Sequence, residues 1–101
     1  MTEMKVAGHT PGPWTTQEWG DAAIQIIGPS DEEIADLDGD PEGWEVRAAN
    51  ARLIAAAPEL LAALELARRW MCEVPVAKRA GNFNIALDRV DAAIAKAEGR
   101  T

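Results

Sequence analysis

The chain has 101 residues, of which 48% are hydrophobic, a formal net charge of −7, one cysteine and one histidine. That length suits one domain (residues 1–101) with a modest core, and Cys72 with His9 can form neither an intramolecular disulfide nor a zinc-type Cys/His cluster. No apolar run approaches the ~18 residues of a membrane span, and the opening residues lack a signal peptide's basic start, apolar run and cleavage site. A chain that stays in the cytoplasm and off the membrane is therefore expected, with Cys72 as a buried structural thiol.

The charge is unevenly placed. Residues 1–45 carry eleven Asp or Glu against Lys5 alone, a net −10, whereas residues 46–101 carry nine Lys or Arg against six acids, a net +3. A duplex-binding protein needs a broad basic face, so no duplex nucleic acid is expected as a partner. A small anion held by a few arginines remains compatible with net acidity. The other reading is that the opposite halves pack together and the acidity serves solubility.

Residues 1–13, with Gly8, Pro11, Gly12 and Pro13, disfavour regular structure and predict an extended arm. A β region covers residues 14–40. Thr and Trp enrichment predicts a strand over 14–19, and three isoleucines bounded by Gly28-Pro29 predict a second over 22–27. Gly20-Asp21 suits a tight connection between them. Residues 33–37 suit a third strand ending at the turn dipeptide Asp38-Gly39, which completes a short antiparallel sheet of about three strands.

The helical region covers residues 44–98, where Ala, Leu, Arg and Glu dominate. Proline removes an N–H and clashes with the preceding turn, so Pro58 divides one helix over 45–56 from another over 59–73 and suits the first turn of the second. A kinked continuous helix is the alternative. After Pro75 and Gly81, Asn82 can cap a third helix over 83–98, closed by Gly99. The fold class is α+β, a short antiparallel sheet followed by three helices.

On the last helix Phe83, Leu87, Val90 and Ile94 form one narrow stripe, an ordinary amphipathic pattern. On the middle helix Leu60, Leu61, Leu64 and Met71 lie on one side, while Leu66 and Trp70 fall well round the axis. Such a helix needs cover on two sides. A homo-oligomer, a dimer or tetramer, would supply it, and so would a position between the sheet and the last helix.

Acid–base catalysis needs two carboxylates, or a carboxylate and a histidine, in a pocket that excludes water. The carboxylates concentrate instead between Asp31 and Glu42, a loop-rich stretch expected to be a solvated acidic surface. The run from Asp36 to Asp40 departs from a calcium loop, since the glycine falls two positions early and Arg47 stands where Glu is required. Ser30 and Cys72 lie in no nucleophile motif, and no P-loop or dinucleotide fingerprint is present. No enzyme, cofactor or metal site is expected.

The tryptophans and arginines remain. Trp14 and Trp44 sit beside loops, where tryptophans can stack on a flat ligand, and Arg47 and Arg52 flank Asn50 on the first helix, whose early turns with guanidinium groups nearby can hold phosphate oxygens while Asn50 reads a base edge. Equally, the tryptophans can fill gaps between sheet and helices, and the arginines can pair with the acidic half.

Two segments carry a family resemblance. His9-Thr10-Pro11-Gly12-Pro13-Trp14, and the run Ala49-Asn50-Ala51-Arg52-Leu53-Ile54-Ala55-Ala56-Ala57-Pro58-Glu59-Leu60-Leu61-Ala62-Ala63-Leu64, resemble a family of small proteins widespread in tailed bacteriophages and prophages. The layout matches along the whole chain, and the middle is free to vary. The resemblance implies a phage origin. Small phage proteins often counter host defence, one route being to sequester a nucleotide second messenger without cleaving it. On that expectation the partner is a small anionic nucleotide of the cyclic dinucleotide type, met in the host bacterial cytoplasm. His9, Thr10, Trp14, Asn50 and Arg52 are candidate contacts because they lie inside the matching motifs, and Trp19, Trp44 and Arg47 are added on chemistry alone. The competing expectation is a protein-binding module whose acidic first 45 residues occupy a basic surface on a host protein and inhibit it.

Overall fold

The computed structural model describes residues 8–20 and 23–99. Three strands, β1 (Thr15–Trp19), β2 (Ala23–Ile27) and β3 (Glu33–Asp38), form an antiparallel sheet in the order β1-β2-β3. Three α-helices follow, α1 (Trp44–Ala55), α2 (Ala57–Cys72) and α3 (Phe83–Ala97), so the chain is α+β as its residue pattern predicts. Single 3₁₀ turns at Pro41–Gly43 and Val76–Lys78 were not foreseen. Residues 1–7 of the expected arm and Asp21 of the expected β1–β2 connection lie outside the described residues.

The sheet has one covered face. Ile24 and Ile26 of β2 are 2% and 0% exposed, and their cross-strand neighbours Leu37 and Ala35 share that face. Helix α1 lies over it. Ala51, 1% exposed, is the small residue that lets helix and sheet approach closely, with Trp44, Ala48, Ile54 and Ala55 packed around it. The β2–β3 turn is closed by Gly28 N–H donating to Glu32 O at 2.8 Å and by Ser30 N–H donating to Glu32 Oε1 at 2.7 Å. Asp31 takes the left-handed conformation (φ 66°) there, which a short polar side chain tolerates.

The described residues form two compact units that divide within α2, between Glu59 and Leu60. Helix α1 ends at Ala55, Ala56 is a single turn residue whose N–H donates to Arg52 O at 3.0 Å, and Pro58 occupies the first turn of α2. The proline therefore interrupts the helix for one residue, because it has no N–H to continue the ladder.

In the second unit Ile94 of α3 is buried, and Phe83, Leu87 and Val90 of the same stripe are half-buried. Asn82 stands at the N-cap position of α3 without a side-chain capping bond. Arg79 does the local tying instead. Its Nε donates to Val74 O at 2.9 Å, two residues past the end of α2, and its Nη2 to Cys72 O at 3.3 Å, the last carbonyl of α2, and its guanidinium lies 5.3 Å from the centroid of the Phe83 ring. Cys72 is exposed, which corrects the expectation of a buried thiol: as the last residue of α2 it stands at the helix end, where it lines a solvent-open cleft with Ile94 and Ala95 of α3. No residue of α2 is buried, and Leu60, Leu66 and Trp70 are 47%, 50% and 65% exposed. No helix among the described residues is long and apolar enough to cross a membrane.

Candidate functional site

The two motif segments meet in the first unit. Proline-rich backbone from His9 to Trp14 cannot form a ladder, and it is held by side chains instead. Trp14 Nε1 donates to Thr10 O at 3.1 Å, His9 Nδ1 lies 2.9 Å from the same carbonyl, and the His9 and Trp14 rings meet edge to face at 6.3 Å. The peptide bond between Gly12 and Pro13 is cis. Two glycines give the arm its seat: a β-carbon on Gly12 would lie 2.9 Å from Pro58 Cβ, and one on Gly28 would lie 3.1 Å from the Thr10 methyl. Trp14 is thereby pressed against the sheet–α1 core.

Beside Trp14 lies an open groove of about 450 Å³, lined by Trp14, Thr15, Thr16, Arg52, Ala55, Ala56 and Glu59. The small residues at the α1–α2 break leave the space, the indole forms one wall, and an exposed guanidinium and a carboxylate stand at the rim. Among the described residues Arg52 has no ion-pair partner. The volume falls within the range of about 300–1,000 Å³ typical of small-molecule sites.

Of the eight residues singled out from sequence, the groove brings together Trp14 and Arg52, with His9 and Thr10 holding Trp14 from behind. The others lie elsewhere. Trp19 is 58% exposed at the far end of β1, where its Nε1 donates to Gln25 Oε1 at 3.2 Å. Trp44 packs on the core, and Arg47 lies 5.9 Å from its ring centroid while its Nη2 donates to Asp40 O at 2.7 Å. Arg47 crosses Gly39 so closely that a β-carbon there would overlap its guanidinium, and its Nη1 is buried without a partner. Asn50 is exposed on α1, ~200° round the helix from Arg52. Arg52 stands in the last turn of α1, so the expected use of that helix's early turns does not apply to it. Thr15, Thr16 and Glu59 were missed. The available signal was Ala55-Ala56-Ala57-Pro58, small residues at a helix break.

A larger cleft of about 780 Å³ lies in the second unit, with Arg68, Arg69 and Cys72 among four carboxylates, Glu65, Glu73, Asp91 and Glu98. Arg68 is paired with Asp91, and that hydrogen bond, followed by the charge of Asp91, holds its guanidinium pKa above the ordinary value. With one arginine committed and acids in excess, this cleft suits an anion less well than the Trp14 groove does.

The chain is a small α+β protein with an open groove beside Trp14. The whole chain, residues 1–101, matches the family described as Salmonella phage P22 protein Y8K6, and the chain belongs to that phage protein family. Comparison with curated proteins and with solved structures gives no match.

Proposed function

We propose that this protein is a counter-defence binder that sequesters a nucleotide immune signal of the cyclic dinucleotide type in the host bacterial cytoplasm, without hydrolysing it. The observation that carries the reading is the convergence of both motif segments on one groove, where Trp14 and Arg52 stand together. Trp14 offers a flat face for a base, and Arg52 offers paired donors for a phosphate. His9 and Thr10 act as positioning residues for the indole. The groove holds a single carboxylate and no histidine to pair with it, which favours binding over acid–base chemistry. Homo-oligomer formation is part of the proposal, supported by the exposure of Leu66 and Trp70 on α2.

Calorimetric titration with a panel of cyclic oligonucleotides tests this reading. Binding by at least one, weakened at least tenfold by Arg52→Ala, is the expected outcome, since a charged hydrogen bond is worth about 1.5–3 kcal/mol.

A second reading, an acidic module that inhibits a host protein, is favoured by one observation. The Glu33 carboxyl is pushed above its ordinary pKa by its hydrogen bond to Asp36 and then by that residue's charge, so the exposed acidic surface repels itself and a basic partner would relieve it. A salt-sensitive partner recovered from host lysate, together with no nucleotide binding, would favour this second reading.

A further inference from the structure

The sheet is open, and its two edges differ. The β3 edge carries Glu33, Asp36 and Asp38, and a register irregularity falls between Ile26 and Ile27 on the strand it pairs with. Carboxylates and bulges are devices that keep an edge from pairing. The β1 edge has neither. Its five residues, Thr15-Thr16-Gln17-Glu18-Trp19, are all exposed, contain no proline and carry one charge. Among the described residues β1 bonds β2 on one side and nothing on the other.

The β1 sequence is complementary to itself. Laid antiparallel on a second copy about Gln17, it sets Thr15 opposite the partner's Trp19, Thr16 opposite the partner's Glu18, and Gln17 opposite the partner's Gln17. The first is a β-branched to aromatic pair, the last joins two amides that each donate and accept, and no carboxylate faces another. Thr16 and Glu18 pair with Ile26 and Ile24, so both project on the sheet face that α1 covers. Arg52 is on that same face, where it lines the groove with Thr16. Neither Glu18 nor Arg52 has an ion-pair partner among the described residues. Pairing therefore brings the partner's Glu18 to the side where Arg52 stands, and the two-fold axis repeats the match.

We propose that two copies of this chain join through β1, antiparallel and centred on Gln17, to make a continuous six-stranded sheet with reciprocal Glu18–Arg52 ion pairs. This assembly does not rest on the nucleotide reading. A phosphate on Arg52 would displace the partner's Glu18, so assembly and ligand binding are scored separately. A five-residue edge predicts a small interface and so a weak dimer, with Kd on the order of micromolar or higher.

Sedimentation equilibrium of the full chain, ligand-free, tests it with Glu18→Arg, Arg52→Glu and the double reversal. Each single change is expected to raise the dimer Kd about tenfold or more, and the double change to restore it. Exchange of those β1 amides that point away from β2 should be slow in the dimer and fast in either single variant. A monomer at all concentrations would overturn the proposal, as would a dimer whose Kd neither single change alters or a double variant without rescue. Titration of Glu18→Arg with the nucleotide panel reports separately on the groove: retained binding beside lost pairing sinks neither reading, whereas absent binding with intact wild-type pairing sinks only the nucleotide one.

Discussion

Gly12 and Pro58 touch across the first unit, close enough that a β-carbon on Gly12 would sit 2.9 Å from Pro58 Cβ and 3.3 Å from its Cγ. The contact joins the arm to the start of α2 and sets the indole of Trp14 beside the residues that form the groove with it. A proline ring cannot swing aside as a long side chain can, so residue 12 has no room for a methyl group.

Gly12→Ala should therefore lift the arm from Pro58 and cost about 1–3 kcal/mol, the usual range for forcing atoms into a packed site. Urea unfolding followed by near-ultraviolet circular dichroism measures both the loss and the altered Trp14 environment. Unchanged stability and spectrum would mean that the arm is not held there.

Ile26 is fully buried between sheet and α1, whereas Val46 on α1 is 67% exposed. Ile26→Ala should cost about 2–5 kcal/mol, and Val46→Ala should change stability by no more than about 0.5 kcal/mol. Denaturant midpoints of the two variants check the contrast, which locates the core on the α1 face of the sheet.

Arg79 bonds the carbonyls of Cys72, at the end of α2, and of Val74 just beyond it, and lies over Phe83. Its replacement by Met should cost about 2 kcal/mol, because charge-assisted hydrogen bonds and a ring contact are lost together. Lys cannot reproduce the forked geometry and should recover only part of this. Thermal melts of the three proteins give the ranking.

Glu33 sets a pH dependence. Its folded-state pKa lies above the ordinary carboxylate value, chiefly because of its hydrogen bond to Asp36 and then that residue's charge, so the folded chain holds a proton that the unfolded chain has released. By linkage this favours folding below the unfolded pKa, and the advantage is lost as pH rises through the folded one. Glu33→Gln abolishes that titration. Plotted against pH across the mildly acidic range, the difference in unfolding free energy between Glu33→Gln and wild type should drift in favour of the variant as pH rises, and less so in high salt. A flat difference would contradict the assignment.

Much of this fold is legible in the residues. Three isoleucines between glycine and proline marked β2, and Pro58 marked the break between α1 and α2, because chain-local sterics decide both. Contacts between distant residues were not legible. Arg47 carries the chemistry of a phosphate ligand, yet its guanidinium is taken up by the Asp40 carbonyl and the Trp44 ring, a use set by where the β3–α1 connection runs. Trp14 and Arg52 share a groove for the same reason in reverse: the arm docks on Pro58, and nothing in either motif alone announces the contact.

The proposed function requires that the Trp14–Arg52 groove bind a nucleotide and leave it intact. Its most direct test is to saturate the full chain with each member of a cyclic oligonucleotide panel, measure binding calorimetrically, heat-denature the complex and chromatograph what is released. Stoichiometric binding of at least one member, recovered unchanged and weakened by Arg52→Ala, is the predicted result. Binding of none, or release of a cleaved product, would contradict it.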